Sequence, residues 1–178
     1  MADTSPSRAI DVSRVRVRYG DPGDAAALND LYNHYILNTP ITFEIEAWSL
    51  EQRLSWLAGF QQTGPYRLLV AEQESVVLGF ACSHRYHERA AYSTTIETSI
   101  YCRPEASGKG IGTLLYGALF EALKGEPVHM AIAGVTLPND ASVAVHRKFG
   151  FQPVGVTHAV GRKLGQYWDV AWFEKTLE

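Results

Sequence analysis

The stretch "RPEASGKGIGTLLYGALF", residues 103–120, decides the fold. Gly108, Gly110 and Gly112 alternate along it. An apolar pattern at helical spacing follows at once through Ile111, Leu114, Leu115, Leu119, Phe120 and Leu123. Glycine lets a ligand lie against the main chain. The helix behind it turns its first N–H groups and positive dipole end toward the loop. Together they suit a phosphate or pyrophosphate, with Lys109 adding charge at the rim; the other reading is a plain glycine-rich turn. The GxxxxGK[ST] spacing is absent, and a GxGxxG pattern needs glycine at 115, where Leu115 stands.

Working outward, "STTIETSIYC" (93–102) is a β-branched strand before the loop, and "VHMAIAGV" (128–135) is a buried strand after the helix. Further upstream, "VRVRY" (15–19) alternates as a half-buried strand. "GDPGD" (20–24) then opens a helix with Asp21 as N-cap and Pro22 in its first position, continued by Leu28, Leu31, Tyr32 and Tyr35. A second helix runs from Ser49 to about Phe60, with Leu50, Leu54 and Leu57 on one side. "RLLVAEQESVVLGFACSHRY" (67–86) reads as two strands around a polar turn near Gln73–Ser75. A short helix from about Asn139 to Phe149 ends at Gly150, and "FQPVGVTHAV" (151–160) and "YWDVAWFEKTL" (167–177) close the chain as strands. The order β-α-α-β-β-β-α-β-α-β-β predicts an α/β domain with a mixed central sheet and helices on both faces.

The 178 residues suit one domain, at 46% hydrophobic and 20% charged. A net charge of −3 with no basic stripe argues against nucleic-acid binding. No apolar run approaches the roughly 20 residues that cross a bilayer. "MADTSPSRAIDVS" (1–13) is polar and lacks a signal-peptide core. It reads as a flexible tail ahead of a domain over 14–178, and the location as cytoplasmic. Cys82 and Cys102, both in apolar strands, read as reduced core thiols. His84, His87 and Glu88 form only an HxxH pair beside an acid, so no metal is expected.

The strand "IETSIYC", the loop "SGKGIGT", the strand "MAIAGV" and the segment "NDASVAVHRKFGF", in that order, resemble the acetyl-CoA-binding core of the GNAT-type N-acetyltransferases. The similarity extends to their phosphinothricin and methionine sulfone/sulfoximine acetyltransferase branch, through "YNHYILNTPITFE" (32–44), "ERAAYSTTIETSIY" (88–101) and "GRKLGQYWDV" (161–170). It covers about residues 15–176. The resemblance implies that main-chain groups of Ile100, Tyr101 and Cys102 line the pantetheine and thioester. It also implies that the amides of Gly108, Lys109, Gly110, Ile111, Gly112 and Thr113 hold the pyrophosphate. Ser107 departs from the family's usual Gln or Arg, which implies that one side-chain contact is lost or shortened. Asn139 and Ser142 match the family's NxxS; they cap the short helix and touch the cofactor, or only cap it.

Acetyl transfer needs a neutral amine, so a base must take a proton. Glu97, a lone acid in an apolar strand, is the candidate base, or else a strand-edge glutamate facing water. A main-chain N–H near Ile100–Tyr101 suits the oxyanion. His146 stands where many members carry a tyrosine acid; it is a candidate proton donor to the thiolate, or a packing residue. Arg89 suits a substrate carboxylate, or is a solvated loop arginine. Tyr92, Phe43 and Glu44 match segments flanking the acceptor pocket, and Lys163 and Tyr167 fall in the closing hairpin. In this branch that hairpin often meets a second subunit, so a homodimer with a shared site is implied. The expected reaction is N-acetylation of a small amino acid or analogue. A protein N-terminus, a polyamine, an aminoglycoside, or acyl-CoA binding without turnover are the alternatives.

Overall fold

The computed structural model describes residues 10–177. Residues 1–9 of the expected tail lie outside the described residues. Of the remainder, Ile10 packs against the core, and Asp11 accepts from Ser13 N–H to cap a 3-10 turn over Val12–Arg14.

The first strand, β1 (Arg16–Tyr19), leads through the Asp21/Asp24 capping box into α1 (Ala25–Asn38) and then α2 (Leu50–Leu57). Asp24 also receives a two-pronged hydrogen bond from Arg18 at 2.7 and 2.8 Å, tying the start of α1 to β1. β2 (Leu68–Gln73) and β3 (Val76–Arg85) form a hairpin whose turn residues, Glu74 and Ser75, both take positive φ. β4 (Thr95–Cys102), α3 (Ile111–Ala122), β5 (Met130–Leu137), α4 (Asp140–Lys148), β6 (Gln152–Lys163) and β7 (Gln166–Thr176) complete the chain. The element order and mixed architecture match the sequence expectation.

One seven-stranded sheet has the order β1-β2-β3-β4-β5-β7-β6. Every neighbouring pair is antiparallel except β4 and β5. Strand alternation gives each sheet face its own core. On one face, α3 packs Leu115, Tyr116 and Leu119 against Ile96, Ala131 and Phe173. On the other, α1 and α2 pack Leu28, Leu31 and Leu57 against Val70, Phe80 and Cys82. The expected apolar side of α2 is corrected here. Leu57 is buried as expected, but Leu50 and Leu54 stay half exposed and Arg53 is buried in their place. Its guanidinium lies 4.5–4.7 Å from the ring centres of Tyr32, Trp48 and Trp56. Three aromatic faces offer a desolvated cation more than the leucines gain from one flank of the sheet.

Candidate active site

β4 and β5 run parallel for three rungs: Thr95 with Met130, Ile96 with Ala131, and Glu97 with Ile132. Beyond the last rung they part, and a cleft of about 470 Å³ opens between them. Thr98 to Cys102 form one wall and Gly134 to Thr136 the other; the turn before α3 and the inner side of α4 close the base. Tyr35 and Ile41, from the end of α1 and the loop after it, line the far end. Tyr35 Oη donates to the Cys102 carbonyl at 2.5 Å, fixing that end to β4. Tyr101 stands among Tyr32, Tyr35 and Phe80, with ring centres 5.1–5.4 Å apart.

The base of the cleft is built for an anion. Gly108 and Gly110 take φ of 71° and 84°, where a side chain would be strained, and Gly110 is the N-cap of α3. The first α-helical bond runs from Leu114 N–H to the Gly110 carbonyl, so the amides of Ile111, Gly112 and Thr113 precede the helical ladder. A Cβ on Gly112 would stand 3.3 Å from Ile100 Cδ1; the missing methyl keeps the helix start close to the β4 wall. Lys148, which the sequence reading did not single out, donates from Nζ to Thr113 Oγ1 at 3.4 Å. The predicted binding residues Ile100, Tyr101, Cys102, Gly108, Gly110, Gly112, Thr113, Asn139 and Ser142 all line the cleft, whereas Lys109 and Ile111 do not. Asn139 Oδ1 accepts from Ser142 N–H at 3.1 Å, so it caps α4 while facing the cleft.

Glu97 stands on the last rung, on the sheet face opposite Thr98. Its carboxyl lies above the usual glutamate range because burial disfavours its charge; His84, its cross-strand partner on β3, draws it back down. His146 is 3% exposed and both its ring nitrogens are engaged. Nδ1 lies 2.7 Å from the Ser142 carbonyl, which only accepts, so Nδ1 carries the proton. Nε2 then accepts from Tyr116 Oη at 2.8 Å. Burial holds the His146 pKa below its ordinary value, which keeps the ring neutral. Tyr116 and Thr98 line the cleft beside it, with their hydroxyls 3.4 Å apart. No local pattern announces this hydrogen-bonded row, because its members come from β4, α3 and α4.

The predicted acceptor residues divide into three places, none in the cleft lining. Phe43 and Glu44 sit on the loop after α1, with the Phe43 ring laid on Gly161. Arg89 and Tyr92 sit on the exposed turn after β3, where Tyr92 packs on Tyr86 and His87. The Arg89 guanidinium makes no ion pair among the described residues. Tyr167, on the closing hairpin, is 65% exposed. The Lys163 ammonium is buried and donates to main-chain carbonyls. Among the described residues, no cluster of three His, Cys, Asp or Glu side chains is placed to hold a metal ion.

Comparison with known proteins agrees with this geometry. A phosphinothricin N-acetyltransferase of Streptomyces coelicolor is 48% identical, over 93% of this chain and 98% of its own. An L-methionine sulfoximine/L-methionine sulfone acetyltransferase of Salmonella typhimurium is 30% identical, over 91% and 94%. A solved phosphinothricin acetyltransferase of Sinorhizobium meliloti, in complex with acetyl-CoA, superposes with a TM-score of 0.85 at 30% identity, over 92% of this chain and 89% of that one. The acetyltransferase (GNAT) family profile matches residues 28–151, and the chain belongs to that family.

Proposed function

We propose that the acceptor is a small amino acid analogue of the phosphinothricin or methionine sulfone/sulfoximine type, acetylated on its amino group from acetyl-CoA. The observation that carries this reading is the parting of β4 and β5 next to Glu97, above the open amides of α3. The relatives' names supply the acceptor class. The cleft fits the donor: positive-φ glycines and unladdered amides suit a pyrophosphate, and the β4 wall suits an extended pantetheine arm.

In this reading the donor supplies an activated acyl carbon. Glu97 accepts a proton from the acceptor ammonium, directly or through one water, and the freed amine attacks the thioester carbonyl. A β4 main-chain N–H near Ile100–Tyr101 stabilises the oxyanion. The carbon–sulfur bond then breaks as the second amine proton passes, directly or through water, to the departing sulfur, giving the amide and the coenzyme A thiol. The Tyr116 hydroxyl serves the departing sulfur by turning its proton from His146 Nε2 into the cleft that it lines. His146 thus acts through Tyr116, since neither of its own nitrogens is open to the sulfur. Burial pushes the Cys102 thiol up to about 11 and the Cys82 thiol up to about 12, so neither offers a thiolate for a covalent acyl-enzyme. Transfer is direct.

The protein works in the cytoplasm as a homodimer. Among the described residues no helix is long and apolar enough to cross a membrane. β6 exposes Val154, Val156 and Val160 along a sheet edge, a surface suited to a second copy of the same strand. Arg89 takes the acceptor carboxylate in this arrangement. A free-thiol release screen over phosphinothricin, methionine sulfone, methionine sulfoximine, the common amino acids, a polyamine and an N-terminal peptide tests the assignment. Turnover confined to the first three and close analogues supports it; turnover only on the peptide or polyamine overturns it.

A further inference from the structure

The Lys163 ammonium is 6% exposed, and among the described residues it makes no ion pair. Nζ donates instead to the Thr42 carbonyl at 2.6 Å and the Tyr35 carbonyl at 3.5 Å. Two residues earlier on β6, a Cβ on Gly161 would lie 2.2 Å from the Phe43 ring, so that ring rests directly on the strand's main chain. Both contacts grip one short segment, the end of α1 and the loop after it. That segment also supplies Tyr35 and Ile41 to the far end of the cleft. Its sequence, "YILNTPITFE" (35–44), has no helix or strand pairing of its own beyond Asn38. The Tyr35 carbonyl also accepts from the Thr39 N–H and hydroxyl, so it is the Thr42 carbonyl that leans on Lys163. A buried ammonium seated on the Thr42 and Tyr35 carbonyls, with the Glu44 carboxylate near enough to favour its charge but not paired with it, is satisfied only while that segment stays in place.

We propose that the end of β6 is a strap that sets the acceptor end of the cleft, and that Lys163 is a positioning residue for acceptor selection, not an acceptor ligand. The strap acts on the loop carrying Ile41, and among the described residues no hydrogen bond or ion pair joins β6 to the turn before α3. The reading rests on the proposed acceptor pocket. Shifts of about 1 Å at a positioning contact cost up to roughly 10²-fold in rate at limiting substrate.

The experiment uses the full chain with Lys163→Met, Lys163→Arg and Gly161→Ala. Initial rates are measured with the best acceptor of the screen, coenzyme A affinity by calorimetry, and amide hydrogen exchange over residues 35–46. The Met and Ala variants raise the acceptor KM about tenfold or more, leave kcat and coenzyme A affinity near wild type, and speed exchange in 35–46 alone. The Arg variant, which keeps the donors and the charge, restores most of the KM. An unchanged acceptor KM in variants that bind coenzyme A normally overturns the strap; so does a parallel loss of coenzyme A affinity, which marks a general folding role. If wild-type protein turns over no acceptor, the functional reading fails. The strap is then decided by exchange alone, and unchanged exchange in the Met variant refutes it.

Discussion

At the scale of single residues, burial moves Glu97 and His146 in opposite directions, and the proposed roles make that difference testable. A base works only when ionised, and burial lifts the Glu97 carboxyl above the ordinary glutamate range. The rate therefore rises with pH along a limb displaced to the alkaline side of a free glutamate's. Replacing Glu97 with Gln keeps coenzyme A affinity, lowers kcat about 10²-fold or more, and flattens that limb. Steady-state rates across the acid range read both effects, and full activity at neutral pH would remove Glu97 from the mechanism. Glu97 stands out in the sequence because a lone acid among β-branched neighbours is conspicuous, and its partial burial is what the structure adds. The hydrogen bonds of His146 do not stand out, since Tyr116 is thirty positions away on another helix. The buried state of Lys163 was hidden for the same reason: its partner carbonyls lie more than a hundred residues earlier.

At the scale of elements, the turn into α3 depends on backbone conformation more than on space. A Cβ on Gly110 would meet nothing within 4 Å, yet its φ is 84°. Gly110→Ala therefore costs about 1–2 kcal/mol as conformational strain and weakens coenzyme A binding as the freed amides lose their aim. Gly117→Ala, in the exposed middle of α3 with equally open space and ordinary helical φ, stabilises the protein by about 1 kcal/mol and leaves binding alone. Calorimetric titration and chemical denaturation of the pair separate the two effects; equal behaviour of the two variants would contradict the anion-site geometry. The order of elements was readable because strand and helix periodicities are local. The buried side of α2 was not. Periodicity ranks Leu50, Leu54 and Leu57 together, but the Tyr32–Trp48–Trp56 box that favours Arg53 draws on α1 and the loop before α2.

At the scale of the whole molecule, the sheet is continuous in outline and nearly divided in its hydrogen bonding. β1 to β4 form one panel, β5, β7 and β6 the other, and three rungs join them. Binding in the cleft then adds bonds to both panels. At a hundredfold excess over Kd, coenzyme A adds about 2.7 kcal/mol of stability, which raises Tm by about 5 to 10 °C for a chain of this size. Scanning calorimetry with and without the ligand measures the shift, and an unchanged Tm at that excess would show that the folded chain does not bind coenzyme A in preference to the unfolded one. The seam has one more implication. Between turnovers the molecule is stitched by a short ladder and by helix packing alone; with donor in place, a foreign molecule serves as an extra course of masonry. Exchange of substrate for product is then also a loosening and retightening of the protein's own framework.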